Sequence, residues 1–344
     1  MKKSFSILLF ALVVSVGSDA ALWRVNNITG VNANFTTVTA AVTAASAGDT
    51  IYVEPSPTNY GGATINKKLT IIGNGYFNST GFYTYNAGLQ AKMMSSALNG
   101  VTFGVGSEFS TLMGCHITGT VSTVVSNVTI KRNLIDGYIY LGNLQGSSYV
   151  NVSNIDVRQN VIGQGLISSQ FSTNSGAVGM TNVNIQNNII STYFYMQFQL
   201  PVGISGFIMN NTFYSPYYNV DVYNFQVNNN IMIGGNFTAN NNVFFNNVAT
   251  NTTFGNANGN QQNISTTALF ANYGTGAADT SYVLNPSGPG IGTGFGGANV
   301  GPFGGPDPYK LSGIPPVPTI YLFSAPATTT TSTLPVTIST RSNN

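Results

Sequence analysis

Few side chains in this sequence could carry acid–base chemistry, and the best group is Lys131, Asp156 and Arg158. Lys131 lies in one segment of alternating apolar and polar residues, and Asp156 and Arg158 lie in the next such segment. If the two segments form neighbouring strands, the three side chains should come together. Lys131 or Arg158 could then act as a general base. A surface ion cluster, in which each pair contributes little, is the simpler interpretation. We therefore expect no catalytic residue and no metal site, and we interpret the lone His116 as a packed, hydrogen-bonded side chain.

Tyrosines suggest a second kind of chemistry, the binding of sugars. Two pairs of tyrosines occur five and seven residues after an asparagine, each alternating with apolar residues that should face inward. Outward tyrosines beside amide side chains would form a platform on which sugar rings stack. The alternative is an aromatic ladder that only stabilises the sheet. The predicted binding residues are Tyr138, Tyr140, Tyr193, Tyr195 and Tyr218.

The elements that position these residues follow from a recurring phrase, in which a strand-like alternation is followed by asparagine and two apolar residues. A drifting period of about 20–30 residues with one such phrase in each is typical of a solenoid. Cys115 takes the asparagine position one repeat earlier. The phrase around Asn242 comes too soon after the last asparagine, which predicts either a change of register or a distorted repeat there. The predicted structural ladder is Asn133, Asn160, Asn188, Asn211 and Asn230.

Asparagine suits a stacked turn for two physical reasons. It adopts the left-handed backbone conformation more readily than most residues. Its amide both donates and accepts, so identical amides can bond up and down a stack. In the phrase that contains Asn133, Val128 and Ile130 should face inward while Thr129 and Lys131 face outward.

The N-terminal part predicts a strand near residues 22–25 and then a short helix over about 35–47. Asn34 is the expected N-cap of this helix and Gly48 its stop. Strands over 49–53 and within ATINKKLTIIGNG should follow. A helix at this position would cover the open end of a stack of strands.

Two segments of the chain resemble known proteins. The stretch FTTVTAAVTAASAGDTIYVEPSPTNY, with the ATINKKLTIIGNG after it, resembles the opening of right-handed parallel β-helix proteins of the pectin-lyase-like superfamily. The later stretches TTALFANY, DTSYVLNPSGPGIGTG and GGANVGPFG resemble the closing segment of secreted bacterial members. The chain departs from that pattern at Pro289–Gly292, where the family usually keeps Ser-Pro-Ala-Ile. Asn299 also stands where an acidic residue is common.

This resemblance implies an all-β fold, a right-handed parallel β-helix with a short N-terminal capping helix and a C-terminal hairpin or tail. The superfamily includes polysaccharide lyases and hydrolases. The resemblance therefore keeps open a lyase that acts on uronic-acid polymers, for which calcium would be the expected cofactor. Without lyase activity we expect no cofactor.

Composition narrows the classes of partner. Only 6% of the 344 residues are charged, with a formal net charge of +2. Nucleic acid needs clustered Lys and Arg, so we do not expect it as a partner. Residues 1–20 have a basic start, a short apolar stretch and small residues at the end, which predicts a bacterial secretory signal peptide. The apolar stretch is too short to span a membrane, so we expect no span in the mature chain.

The C-terminal tail, residues 313–344, begins with a proline-rich spacer and contains two strand-like stretches, 319–325 and 334–341. We expect them to form a hairpin that packs across the last repeat of the β-helix, which would occupy residues 21–312. The alternative is an exposed edge that pairs with another subunit or an export component.

These observations predict a protein that is secreted or displayed at the cell surface. The favoured function is non-catalytic binding of polysaccharide or another surface component through the tyrosine-bearing sheet. A polysaccharide lyase is one alternative. A structural or fibre-forming protein that self-associates through residues 313–344 is the other.

Overall fold

The structure is a computed structural model. It describes residues 20–77, 86–142, 150–168, 180–191, 196–199, 206–214, 219–328 and 332–343. The β-strands are numbered in chain order. Within the described residues they form three large parallel sheets and one small antiparallel sheet.

The strands of the parallel sheets are short, two to five residues each. Sheet 1 contains β1 (Leu22–Val25), β2 (Thr50–Val53), β4 (Thr70–Ile72), β7 (Thr111–Met113), β10 (Thr129–Lys131), β13 (Ile155–Arg158), β16 (Val183–Gln186), β19 (Gly206–Met209), β22 (Phe225–Asn228) and β25 (Val243–Phe245). Sheet 2 contains β5 (Ala97–Leu98), β8 (His116–Ile117), β11 (Leu134–Ile135), β14 (Val161–Ile162), β17 (Ile189–Ser191), β20 (Thr212–Tyr214), β23 (Ile231–Ile233) and β26 (Val248–Ala249). Sheet 3 contains β3 (Gly62–Ile65), β6 (Gly100–Phe103), β9 (Val121–Thr123), β12 (Tyr138–Leu141), β15 (Gly165–Ser168), β18 (Met196–Gln199), β21 (Asn219–Tyr223) and β24 (Asn236–Phe237).

From β4 onward the chain visits sheets 1, 2 and 3 in strict rotation. Each strand therefore pairs in parallel with the strand of the previous and of the next round. The protein is thus all-β with large parallel sheets, which agrees with the predicted fold class and is consistent with a β-helix.

Alternation along the strands builds one apolar core. Ile130, Ile139 and Val157 are fully buried, and so is Val128 just before β10, as the pattern predicts. Because the side-chain period of a strand is two, their neighbours Thr129, Lys131 and Tyr140 face outward.

The predicted N-terminal helix forms but is shorter than expected. Helix α1 runs from Val38 to Ala44, and its N-cap is Thr37, whose side chain accepts from the N–H of Ala40, rather than Asn34. Phe35 is instead bridged to Val25 as extended chain, which delays the start of the helix. The helix ends at Ala44, and its C-cap is Ala45, before the expected stop at Gly48. Its apolar face joins the core through residues such as Val42.

The C-terminal third contains little regular structure. Helix α2 comprises the four residues Thr266–Leu269. Three 3₁₀ turns follow at Thr280–Tyr282, Phe295–Gly297 and Leu311–Gly313. Apolar residues of this region, such as Leu269 and Val300, pack against outward residues of sheet 2, such as Ile231. The outer face of sheet 2 is therefore covered, while the outer faces of sheets 1 and 3 carry the predicted sites.

The last two strands form the predicted hairpin, β27 (Thr319–Ser324) paired antiparallel with β28 (Thr337–Arg341). Its predicted position across the last repeat is wrong. The carbonyl of Ile320 accepts from the N–H of Ala91 at 2.8 Å, and Arg341 donates to the carbonyl of Leu89. The hairpin thus lies near the N-terminal end of the sheets. Within the described ranges, no helix is long and apolar enough to cross a membrane.

Candidate functional site

The ladder asparagines lie at the corner between sheets 1 and 2, each just before a strand of sheet 2. All five are fully buried. The Nδ2 of Asn160 donates to the carbonyls of Ile130 and Arg158, both at 2.9 Å, and to Oδ1 of Asn188 at 3.0 Å. The same bonds recur at each of the other four positions. Every amide is therefore satisfied by three neighbours.

The ladder extends further than the spacing predicted. The N–H of Cys115 donates to Oδ1 of Asn133 at one end, and burial raises the pKa of the Cys115 thiol to about 12. At the other end the next members are Asn247 and then Asn260. The expected register change at Asn242 is wrong, because Asn242 precedes β25 and bonds the N–H of Phe225 instead.

The left-handed residue of each corner is the residue before the ladder asparagine, contrary to the expectation that the asparagine itself adopts that conformation. These corner residues have φ between 55° and 75°. The corner residues are Gly114, Arg132, Gln159, Asn187, Asn210, Asn229, Asn246 and Gly259.

A return segment, residues 289–318, lies along these corners and runs back from the last repeats toward the first. Asn246 donates to the carbonyl of Thr293, and Asn187 donates to the carbonyls of Pro302 and Gly304. Further along, the polar side chain of Gln159 bonds the segment at residues 307 and 308. Arg132 completes the series, donating to the carbonyl of Ile314 at 3.0 Å. The polar side chains of these corner residues thus provide hydrogen-bond donors for the backbone carbonyls of the return segment.

The predicted charged group does come together on the outer face of sheet 1. Lys131 pairs with Arg158 in the strand register, and the guanidinium of Arg158 lies 2.8 Å from the carboxylate of Asp156. The return segment adds a fourth residue, Asp307, whose carboxylate lies 3.2 Å from Arg158. Sequence reasoning missed Asp307, because no local pattern places residue 307 beside β13.

Burial controls the electrostatics of this cluster. It lowers the pKa of Lys131, and the guanidinium groups of Arg158 and Arg132 act in the same direction. It raises the pKa of Asp156, outweighing the opposite effect of Arg158. The cluster thus combines a lysine whose pKa is lowered with two carboxylates that are paired with the guanidinium of Arg158. Such a lysine is the one feature here that favours proton abstraction.

His116 lies on the neighbouring sheet 2 and is buried. Its Nε2 lies 2.8 Å from a carboxylate oxygen of the exposed Asp136. Among the described residues, no group of three or more His, Cys, Asp and Glu side chains could hold a metal ion.

Tyr138 and Tyr140 lie side by side on the outer face of sheet 3. Ile139 and Leu141 between and after them are fully buried, so both tyrosines project outward and are half-buried. Their ring centroids are 5.7 Å apart with planes tilted by 49°. Burial raises the pKa of Tyr140. The two rings form one continuous aromatic surface.

The register of sheet 3 determines the neighbours of this pair. Tyr140 pairs with Ser122 on one side and with Ile167 on the other, and Ile167 pairs with Gln197. Gln197 therefore lies at the register position at which the spacing from the asparagines predicted Tyr195. The residues Tyr193, Tyr195 and Tyr218 lie outside the described part of the chain. Toward the N-terminal end the row continues through Thr102 and Thr64, so it is neutral and hydroxyl-bearing from Thr64 to Tyr140.

The hairpin is a third candidate surface. Its large apolar side chains are 38–57% exposed, although such residues are usually buried. A cavity of about 350 Å³ separates it from the body, lined on one side by Tyr52 and Asn74 and on the other by Phe323. The exposed apolar residues of the hairpin and its loop are Ile320, Tyr321, Leu322, Phe323, Leu334, Val336 and Ile338.

Comparison with protein-family models, with curated proteins and with solved structures finds no match to this chain. The assignment of function therefore depends on the geometry of the three surfaces.

Proposed function

We propose that this protein is an exported, non-catalytic, right-handed parallel β-helix that binds neutral polysaccharide through the outer face of sheet 3. The strict rotation of strands through three sheets and the buried ladder of amides support the β-helix. The resemblance of both end segments to the pectin-lyase-like superfamily supports its handedness and family.

One observation carries the binding function, the paired rings of Tyr138 and Tyr140 in a neutral row of side chains. The accessible hydroxyl groups of that row are those of Thr102 and Thr64, since Ser122 is buried. Aromatic faces stack on the C–H faces of sugars, while hydroxyl and amide groups bond their hydroxyls. The side chains of the row from Thr64 to Tyr140 carry no charge, so a neutral glycan suits this row better than an acidic one.

Export agrees with this function. The signal-like residues 1–20 would direct the chain out of the cell, where polysaccharide is available. Residues 21–312 would then form the β-helix with its return segment, and residues 313–344 the tail.

A glycan-binding screen on the mature chain tests the proposal. Tyr138→Ala and Tyr140→Ala should each weaken binding of the glycan found by about 3–10-fold, since an aromatic contact contributes about 0.5–1.5 kcal/mol beyond its area. Tyr321→Ala, on the hairpin, is the matched control and should leave affinity unchanged. Absence of any bound glycan, or equal affinity in all three variants, contradicts the proposal.

A second candidate function is supported by the lowered pKa of Lys131 beside Arg158. This is lyase chemistry, in which Lys131 or Arg158 abstracts a proton from a uronic-acid polymer. Ultraviolet absorbance of unsaturated products, measured with calcium added, tests it. Activity that disappears in Lys131→Ala would establish the lyase, whereas no product across a panel of acidic polymers removes it.

A further inference from the structure

The hairpin differs from every other strand pair in the molecule because it contributes almost nothing to the core. In β27 only Thr319 is buried, and the other five residues are exposed. In β28 no residue is buried. A two-stranded hairpin alone is marginally stable in water, so a structure of this kind needs a further surface to cover it.

The two edges of the hairpin are not equivalent. The outer edge of β27 faces the body, where the carbonyl of Ile320 accepts from Ala91. Within the described residues β28 pairs with no strand except β27, so its outer edge has no strand partner there. Residues 337–341 contain no proline and one charge, Arg341, so they lack most of the devices that protect an edge strand.

We propose that the occupant of this edge is a second copy of the same chain, paired antiparallel through β28 about a two-fold axis at Ser339. The pairing would join two hairpins into one four-stranded sheet. It depends on the hairpin alone and not on the glycan-binding function proposed for sheet 3.

Charge favours this register. With the axis at Ser339, Arg341 of one copy lies opposite Thr337 of the other, and the two arginines are at opposite ends of the paired strands. A shift that brought both arginines together would place like charges directly opposite, which is destabilising. Isologous pairing also closes on itself, so it stops at a dimer.

Exposed apolar side chains border the proposed seam. Seven large apolar side chains of the hairpin and its loop are each about half accessible. Edge pairing joins the backbones of two β28 strands and covers only the side chains next to the seam, so the interface is smaller than a standard one, which buries about 800 Å² per partner. The dimer should therefore be of modest affinity.

Cysteine cross-linking of the mature chain tests the position of the axis. Cys115 is fully buried, so Ser339→Cys introduces a single accessible thiol. At the axis the two introduced thiols would face each other, and mild oxidation should convert most of the protein to a covalent dimer. Val105→Cys, on an 82% exposed position elsewhere, is the matched control and should remain monomeric.

Sedimentation of the same chain tests the association itself. The parent protein should sediment as a dimer at tens of micromolar, and Ile338→Lys should raise the dimer dissociation constant at least about tenfold by placing a charge beside the edge. Val105→Lys should leave the constant unchanged. A monomeric parent protein, species larger than dimers, or a Ser339→Cys variant that cross-links no better than Val105→Cys overturns the proposal.

Discussion

The return segment and the hairpin are consecutive in the chain, yet their surroundings are opposite. Residues 289–318 lie on the corner between sheets 1 and 2, and their carbonyls accept from side chains of successive corner residues. Residues 319–341 contact the body mainly at residues 89–91 and expose most of their apolar side chains.

The comparison shows what a segment without regular secondary structure requires in order to pack against β-sheets. The return segment has no ladder of its own, so its backbone groups need partners from elsewhere. The corner residues supply them, because the polar side chains at corners such as Asn187, Gln159 and Arg132 bond carbonyls of the segment. The hairpin satisfies its own backbone by pairing β27 with β28, so it needs no such partners and remains at the surface.

The largest expected effect comes from breaking the corner itself. Asn188→Ala removes an amide that donates to Val157, Gln186 and Asn211 and accepts from Asn160. Several buried groups lose their partner, so the free energy of unfolding should fall by about 3–5 kcal/mol in urea titrations. The control Asn184→Ala faces outward and should change it by less than about 0.5 kcal/mol.

A smaller effect should follow from detaching the return segment. Gln159 is fully buried, and its Nε2 donates to Asp307 and Pro308 while its Oε1 accepts from Arg132. Gln159→Ala should therefore cost about 2–3 kcal/mol. Hydrogen exchange should accelerate across residues 302–315 first.

The matched control for that variant is Gln226→Ala, on the outward face of sheet 1. It should leave exchange in the return segment unchanged. Faster exchange spread evenly over the sheets would contradict a local role for Gln159.

The stability of the fold should depend modestly on pH because of Asp156, which lies where the return segment meets sheet 1. Its pKa is raised in the folded state above the ordinary 3.8, so the folded state binds the proton more tightly than the unfolded state. The stability of the wild type relative to Asp156→Asn should therefore rise as the pH falls through the raised pKa toward 3.8. Urea titrations at several pH values measure this difference, and a relative stability that falls with acid contradicts the sign.

The smallest effect on stability should come from the hairpin. Phe323→Ser replaces a side chain that is 57% exposed, so the free energy of unfolding should change by no more than about 0.5 kcal/mol at protein concentrations low enough to keep the chain monomeric. Thermal melting of dilute protein checks this. A loss of stability as large as that of Gln159→Ala would show that the hairpin contributes as much to the stability of the fold as the return segment does.

Local patterns were sufficient for much of the fold. The five asparagines predicted from spacing are the buried residues of the corner, and the alternation around them correctly separates inward Ile130 from outward Lys131. The prediction was wrong where a contact from elsewhere intervened. Pairing of Phe35 with Val25 shortened the helix, and the true ladder continues at Asn247 rather than Asn242.

The candidate sites were predictable to different degrees. Lys131 and Arg158 meet because they occupy equivalent outward positions on adjacent strands, and Asp156 is the next outward residue on the strand of Arg158, which periodicity alone predicts. Asp307 joins them from far along the chain, and no period connects it to Arg158. The residues that share a row with Tyr140 could not be predicted by counting, because the number of residues between corners differs from one repeat to the next. The observed pairing of Ile167 with Gln197 defines that row.

Local patterns alone specify the all-β class, the inward and outward faces and the positions of the corners, since each follows from a period of two within strands and a recurring asparagine phrase. Long-range contacts, by contrast, direct the C-terminal segment back along those corners. That path depends on side-chain bonds between residues more than a hundred positions apart, such as Asn187 with Pro302, and bonds of that span leave no periodic trace in the sequence. The same return carries the hairpin to the N-terminal end of the sheets, where Ile320 and Arg341 bond the backbone at residues 91 and 89.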